Sequence, residues 1–393
     1  MGTTPVESVR LQIKSRLRDH LLAVDLGIGN ELIALLGRDG AGKTEILRSV
    51  AGVYTPEDGT IHIQGRTVFD AQSGLNIPPV DRHVGWVPHI SSLFPQQTVA
   101  ENIAFPFKRG YPMPEHEAAR RIDEIIDLLD LSSVRNRYLA DIDDRRKHAV
   151  ALGRAVILDP DILLLDQPYH DFEVSLQRKV RHDLQHLRRW IGIPALFATS
   201  DLEEAYEIAD QIALLDGGRI LQVAPPRTLV TRPANRNVAE LVRSVNVFPG
   251  EVIEAFDDGV AVETTLGTLH VLGVRAPLGP VEVVIRPEHI RILPVGEHLP
   301  RDDNVLTGEL IDDTDYGPLH SLTFHPAGAG PGDVLEISVN DLAFRQLELD
   351  GLGERRVVLP ARAVHIMIPN EPGHERAEWI DVEADTGEDE VKL

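Results

Sequence analysis

Residues 37–44 constrain the fold of this chain more than any other segment. They read Gly-Arg-Asp-Gly-Ala-Gly-Lys-Thr and fit the phosphate-loop pattern G-x-x-x-x-G-K-[ST]. The apolar run Glu31–Leu36 before this loop is typical of a buried strand, and Glu45–Val50 after it is predicted to be helical. Such a loop curls so that its N–H groups converge on phosphate oxygens at the helix N-terminus. An ordinary glycine turn is the alternative, but the strand–loop–helix context favours a phosphate-binding site.

The phosphate-loop pattern also predicts roles for individual residues. Lys43 is expected to reach the β- and γ-phosphates of a nucleotide, and Thr44 is expected to contact Mg²⁺. Asp39 and Glu45 are expected to weaken nucleotide binding, because carboxylates compete with phosphate for the positive end of the helix dipole. The residues predicted to hold the nucleotide are Gly37, Arg38, Asp39, Gly40, Ala41, Gly42, Lys43, Thr44 and Glu45.

The pattern of apolar runs along the chain predicts two domains. Up to about residue 240, apolar runs alternate with helical segments, which predicts an α/β domain built on a largely parallel sheet. The runs typical of strands are Ile162–Leu165, Ala195–Thr199 and Gln211–Leu215, and Asp201–Asp210 is predicted to be helical. Pro114–Ala155 is mostly helical in pattern and indicates a helical subdomain over about 90–157. Residues 241–370 carry short runs broken by Gly, Pro and Asp, as in a β-rich barrel or sandwich.

The β-rich region contains an internal repeat. Asn246-Val-Phe-Pro-Gly-Glu-Val-Ile253 matches Asn304-Val-Leu-Thr-Gly-Glu-Leu-Ile311. Because such self-similarity rarely arises by chance, it predicts a duplicated β-unit, with copies at about 246–294 and 304–369. The acidic tail, residues 371–393, has few large apolar residues and is expected to be disordered.

Composition excludes several classes of protein. The absence of cysteine rules out disulfides and thiolate metal sites, and the formal net charge of −23 argues against a nucleic-acid partner. No apolar stretch approaches the roughly 18 residues that span a bilayer, and the N-terminus lacks the apolar run of a signal peptide. The expected location is therefore the cytoplasm, with membrane contact only through a partner protein.

Further segments of note lie in order along the chain: Leu47–Gly52, Pro56–Ile61, Val84–Pro95, Thr98–Ile103, Val150–Val156, Ile162–Pro168 and Ala198–Ala205. Together with the phosphate loop, they resemble the nucleotide-binding subunits of ABC transporters. The resemblance covers about residues 11–241, and the β-rich repeat resembles the tandem oligomer-binding-like (TOBE-type) domains of importer subunits. It implies a P-loop core of ABC type that binds ATP and Mg²⁺ and contacts a membrane permease. It also implies a head-to-tail homodimer or heterodimer, in which one chain's phosphate loop and the other chain's signature loop hold each nucleotide.

Three positions depart from what this resemblance implies for catalysis. Asp166 is still expected to support Mg²⁺, but Gln167 stands where the family has the glutamate that polarises the attacking water. Ser200 replaces the family's histidine, and with Glu203 it fits a capping box for the next helix. His89 replaces a glutamine that contacts the metal; a metal contact and a plain loop residue both remain open there.

The signature loop departs furthest. Where the family has Leu-Ser-Gly-Gly-Gln, this chain has Ile142-Asp-Asp-Arg-Arg146. Asp143 and Asp144 are expected to cap a helix N-terminus, and they place carboxylates where a phosphate would dock.

Taken together, these residues predict an importer subunit that binds ATP–Mg²⁺ and hydrolyses it poorly or not at all. Segment Phe69–Arg82 most resembles molybdate and tungstate subunits, so an oxyanion such as molybdate is the expected solute. The alternatives are a non-hydrolysing regulatory or effector-binding protein, and a structural scaffold that no longer binds nucleotide.

Overall fold

The computed structural model describes residues 7–88, 93–109, 113–168, 174–294, 303–330 and 332–369. It divides into two compact units, Met1–Pro226 and Arg227–Leu393. The predicted acidic tail, 371–393, lies outside the described residues.

The first unit is built on a mixed sheet. Its strands are β1 (Val9–Arg16), β2 (Leu21–Ile28), β3 (Leu32–Leu36), β4 (Asp58–Ile63), β5 (Arg66–Asp70), β6 (Leu75–Asn76), β7 (Val84–Val87), β8 (Ile162–Asp166), β9 (Ala195–Thr199), β10 (Gln211–Asp216) and β11 (Arg219–Ala224). Its helices are α1 (Lys43–Ala51), α2 (Val99–Ile103), α3 (Glu115–Leu128), α4 (Asp144–Val156), α5 (Val174–Ile191) and α6 (Leu202–Ile208). The strand order is β6-β5-β4-β1-β2-β11-β10-β3-β9-β8-β7.

The predicted α/β fold is confirmed, with one correction to the sheet. Strands β10, β3, β9, β8 and β7 run parallel to one another, as predicted, whereas β10 pairs antiparallel with β11. The pairs β1–β2, β4–β5 and β5–β6 are antiparallel, because their short connections allow only that direction, and the pair β1–β4 is antiparallel as well. Every residue of β3, β8 and β9 is buried, as expected for strands covered on both faces.

Strands β3, β9 and β8 lie side by side and position the candidate site. Their carboxyl ends bring together the loop after Leu36, the residues after Asp166 and those after Thr199. In an open α/β sheet this edge is where ligands bind. The helical segment predicted at Pro114–Ala155 is found as α3 and α4, joined by short 3₁₀ turns.

The second unit contains two five-stranded sheets and short helices. Its strands are β12 (Asn246–Phe256), β13 (Gly259–Thr264), β14 (Gly267–Leu272), β15 (Gly279–Ile285), β16 (Arg291–Ile292), β17 (Asn304–Asp315), β18 (Leu319–Pro326), β19 (Leu335–Asn340), β20 (Gly353–Leu359) and β21 (His365–Met367). The helices are α7 (Pro226–Thr231), α8 (Arg236–Leu241) and α9 (Asp341–Gln346). The sheet orders are β14-β13-β12-β15-β21 and β16-β20-β17-β18-β19.

The repeated sequences form equivalent strands, β12 and β17. Each begins at its repeated asparagine, and each has a register shift six residues later, after Val252 and after Leu310. The copies also exchange strands, since β16 joins the second sheet and β21 joins the first.

The repeated asparagines connect the two copies. The side-chain amide of Asn246 exchanges two hydrogen bonds with the backbone of Glu336 in the second copy. The amide of Asn304 does the same with the backbone of His270 in the first copy, and it also donates to the Leu359 carbonyl. The two copies therefore share one buried core and depend on each other for their hydrogen bonds.

Candidate functional site

The loop between β3 and α1 leaves a helix N-terminus available to an anion. Gly42 is the N-cap of α1 at φ +104°, where a side chain is strained, and no side chain caps the helix. Gly37 is held close to the sheet, because a Cβ there would lie 2.3 Å from the Leu215 carbonyl oxygen. The N–H groups of the first turn thus face no carboxylate from an N-cap, which is the arrangement that binds phosphate.

Lys43 is the first residue of α1 and is buried. Its ammonium donates to the Gly37 carbonyl at 2.6 Å and to the Arg38 carbonyl at 2.9 Å. Burial lowers the pKa of Lys43 below its ordinary value, and nearby carboxylates, chiefly Asp39 and Asp166, oppose that shift. The ammonium is thus held folded back along the loop, and phosphate oxygens can replace the two carbonyls as acceptors.

Thr44 and Asp166 lie together at the end of β8. The Thr44 hydroxyl donates to Asp166 Oδ1 at 3.0 Å. Mg²⁺ binds one or two protein oxygens and completes its shell with water and nucleotide phosphate. A hydroxyl and a carboxylate in contact, next to the phosphate loop, are a donor set that fits this ion.

Gln167 follows directly after β8 and has left-handed backbone, with φ +48°. Its N–H donates to the Ala198 carbonyl at 3.0 Å, which fixes the residue against β9. A cavity of about 240 Å³ opens beside it, with Ser200 and the buried Glu204 also in its wall. The amide of Gln167 can orient a water molecule in this space but cannot accept a proton from it, since a neutral amide is not a general base.

The structure corrects the predicted role of Ser200. Ser200 is exposed, and the N-cap of α6 is Asp201, whose carboxylate accepts from the N–H groups of Glu203 and Glu204. The capping box predicted for Ser200 with Glu203 is therefore wrong by one residue. The reason is that the Thr199 hydroxyl accepts the Asp201 N–H at 3.0 Å and donates to Glu204 at 2.6 Å, which sets the start of the helix one residue later.

His89, the candidate for a metal contact, lies outside the described residues. Within the described part of the chain, no cluster of three or more His, Cys, Asp or Glu side chains is arranged to hold a metal ion.

The N-terminus of α4 is closed by the chain's own carboxylate. Asp143 is the N-cap, as predicted, and its Oδ1 accepts the Arg146 N–H at 2.9 Å. Its Oδ2 pairs with the Arg146 guanidinium. Partial burial would raise the pKa of Asp143, but these hydrogen bonds outweigh it and leave that pKa below its ordinary value.

Arg145 points away from this helix end. Its guanidinium makes two hydrogen bonds to the buried Asp183 of α5, at 2.9 and 3.1 Å. The sequence did not reveal Asp183 as the partner of Arg145, because it lies 38 residues away and carries no local signal.

Arg82 was also missed as a structural residue. It is fully buried and donates to the carbonyls of Ser49 and Val50 at the end of α1, and to Asn76 Oδ1. The segment whose sequence suggested an oxyanion solute thus serves to anchor the phosphate-loop helix.

Comparison with known proteins is consistent with this geometry. Residues 24–170 match the family model described as ABC transporter. The spermidine/putrescine import ATP-binding protein PotA of Oleidesulfovibrio alaskensis is 35% identical over 306 residues, covering 74% of this chain and 79% of the relative. The Fe(3+) ions import ATP-binding protein FbpC of Brucella melitensis is 34% identical over 264 residues, covering 67% of this chain and 72% of the relative.

Solved structures agree on the fold. The structure of cbiO1 from Clostridium perfringens, part of an ABC transporter complex, has a TM-score of 0.51 at 20% identity, covering 56% of this chain and 89% of that one. An ATP-binding cassette of an ABC transporter in its ADP conformation has a TM-score of 0.52 at 17% identity, covering 60% of this chain and 98% of that one.

The fold and the site therefore define a P-loop protein of the ABC type. The chain belongs to the family of import ATP-binding proteins of ABC transporters. Within the described residues, no helix combines the length and apolar character needed to cross a bilayer.

Proposed function

We propose that this chain is an importer subunit that holds ATP–Mg²⁺ at its phosphate loop and hydrolyses it slowly or not at all. The observation that carries the proposal is the contrast at the site. The N-terminus of α1 is open and has a lysine beside it, whereas Gln167 occupies the position of the water-activating acid. The proposed nucleotide contacts are those of residues 37–45, with Thr44 and Asp166 toward the metal.

The slow hydrolysis follows from the missing base. General-base catalysis contributes about 10²–10⁴ in rate, so its loss alone reduces turnover by that factor. Ser200 also stands where the family has a histidine. Its exposed hydroxyl is a weaker hydrogen-bond donor to a phosphate than the ring N–H of a histidine. Gln167 can still orient a water molecule but cannot take its proton, so any residual turnover is expected to be slow.

The proposed partners are a membrane permease and a second ATP-binding chain, in a homodimer or a heterodimer. The named relatives are import ATP-binding proteins, and import requires a membrane component that carries the solute. The chain would then lie at the inner face of the cell membrane and be held there by the permease.

For the solute, the proposal is a small charged molecule or ion. The relatives are named for spermidine/putrescine and for Fe(3+), whereas the sequence resemblance favoured an oxyanion such as molybdate. The role of Arg82 in anchoring α1 weakens the oxyanion argument, because it gives that segment a structural purpose. Uptake of labelled molybdate, spermidine and Fe³⁺ is measured in cells with and without the chain and its permease. The solute whose uptake falls is the one imported. If uptake of all three is unchanged, an import role for these solutes is contradicted.

The test of nucleotide binding and slow turnover uses the purified chain. ATP–Mg²⁺ is expected to raise the melting temperature by mass action, while phosphate release stays at the level of the Lys43→Ala variant. Unchanged melting at millimolar ATP would contradict nucleotide binding. Phosphate release well above the Lys43→Ala level would contradict slow hydrolysis.

A second candidate function is a regulatory protein that binds ATP without hydrolysing it. The observation that favours it is the closed N-terminus of α4, which departs from what a transport cycle of paired subunits requires. Affinity purification of the chain from its native membrane distinguishes the two, because an importer subunit brings a permease with it and a free regulator does not.

A further inference from the structure

Two helix N-termini in the first unit have opposite electrostatic character. The N-cap of α1 is Gly42, which adds no side chain, so the positive end of the helix dipole faces outward. The N-cap of α4 is Asp143, whose carboxylate already accepts the Arg146 N–H. The α1 N-terminus thus has no N-cap carboxylate, whereas the α4 N-terminus has that of Asp143.

The cations around the start of α4 are not available to an external anion. Each basic side chain of its first turn is paired with a carboxylate of the same chain. Arg145 pairs with Asp183, Arg146 with Asp143, and Lys147 with Asp144.

The carboxylates at this helix end are more exposed than the cations paired with them. The side chain of Asp144 is 77% exposed against 38% for Lys147, and that of Asp143 is 50% exposed against 36% for Arg146. A phosphate that binds the Arg146 N–H must first displace the Asp143 carboxylate, which already accepts that N–H and pairs with the Arg146 guanidinium. Because such charge-assisted hydrogen bonds are strong, the approach of a nucleotide is unfavourable.

We infer that Asp143 and Asp144 close the α4 N-terminus to a nucleotide held by a second copy of this chain, so that ATP does not draw two copies together. The inference rests on the proposed function, since it concerns the ATP held at the phosphate loop. It follows that a partner chain that completes this chain's nucleotide site contributes a helix N-terminus unlike that of α4.

The experiment measures self-association by sedimentation equilibrium, with and without saturating ATP–Mg²⁺. For the native chain, the dimer dissociation constant with ATP is expected to lie within about twofold of the constant without ATP, because no favourable contact couples ATP binding to dimer formation. In an Asp143→Ser, Asp144→Asn variant, ATP is expected to lower that constant by about tenfold or more, within the usual range of coupling between sites. Serine is a preferred N-cap, so this variant keeps α4.

The matched control replaces Glu115 and Glu117 with glutamine. Both are exposed in the first turn of α3, so this variant loses the same two charges from the same subdomain. It is expected to behave like the native chain. Circular dichroism melting of both variants checks that each is folded before association is compared.

Two results would overturn the inference. One is a native dimer that ATP tightens about tenfold or more, and the other is an Asp143→Ser, Asp144→Asn variant that responds to ATP no more than the control. A fluorescent ATP analogue titrated into the same samples distinguishes failure of this inference from failure of the proposed function. Absence of binding overturns both proposals, whereas binding with an ATP-tightened native dimer overturns the inference alone.

Discussion

Acid is expected to destabilise the helix that carries the closed N-terminus, through His148. This residue is 8% exposed on α4, and burial lowers its pKa from 6.5 to about 4. The native state therefore favours the neutral ring, while the unfolded chain takes up a proton below about pH 6.5. The contribution of His148 to stability is complete above pH 6.5 and is lost progressively as the pH falls toward 4.

The size of this effect follows from the two pKa values. At about 1.36 kcal/mol per unit of pKa difference, the full effect corresponds to roughly 3 kcal/mol. At pH 5 the unfolded ring is almost fully protonated and the native ring is mostly neutral, so about 2 kcal/mol of the stability present at pH 7.5 is lost.

Urea unfolding at pH 7.5 and pH 5.0, compared between the native chain and a His148→Phe variant, measures the effect. From pH 7.5 to pH 5.0, the free energy of unfolding of the native chain is expected to fall by about 2 kcal/mol more than that of the variant. Replacement of the exposed His116 on α3 with glutamine serves as the control and is expected to follow the native chain. Equal losses for the native chain and His148→Phe would refute the reasoning.

Three further predictions test the site and the repeat. Lys43→Ala is expected to weaken ATP binding at least about tenfold, because one charge-assisted hydrogen bond to phosphate is worth about 1.5–3 kcal/mol; calorimetric titration that shows native affinity would contradict the assigned loop. Gln167→Glu alone is expected to leave phosphate release near background, because the α4 end remains closed, and full rescue would show that residues 142–146 do not limit the reaction. Asn304→Ala is expected to destabilise the second unit by about 1–3 kcal/mol, since it removes the hydrogen bonds to the partly buried backbone of His270 and the buried one to the Leu359 carbonyl; denaturation that shows no change would refute the coupling of the two repeats.

The phosphate loop and the strands beneath it were predictable from the sequence. These features are predictable because continuous apolar runs and glycines are local signals. Ala195–Thr199 was predicted with its observed bounds, and the predicted strand before the loop was one residue too long. Asp143 was also predicted as an N-cap, since aspartate before a helical segment satisfies orphan N–H groups.

Contacts between distant residues were not predictable in this way. The Arg145–Asp183 pair and the exchange of β16 and β21 depend on the folded topology, which no local pattern encodes. The start of α6 was misplaced because Ser200 and Asp201 are both good caps, and the choice between them depends on the Thr199 hydroxyl.

The most direct test of the account is an experimental structure of the chain with ATP and Mg²⁺. An intact triphosphate is expected at residues 37–45, with Lys43 moved from the Gly37 carbonyl to the phosphates. No α4 N-terminus of a second copy is expected to touch the nucleotide. A γ-phosphate bound by the first-turn N–H groups of a second copy's α4, with Asp143 displaced from Arg146, would contradict it.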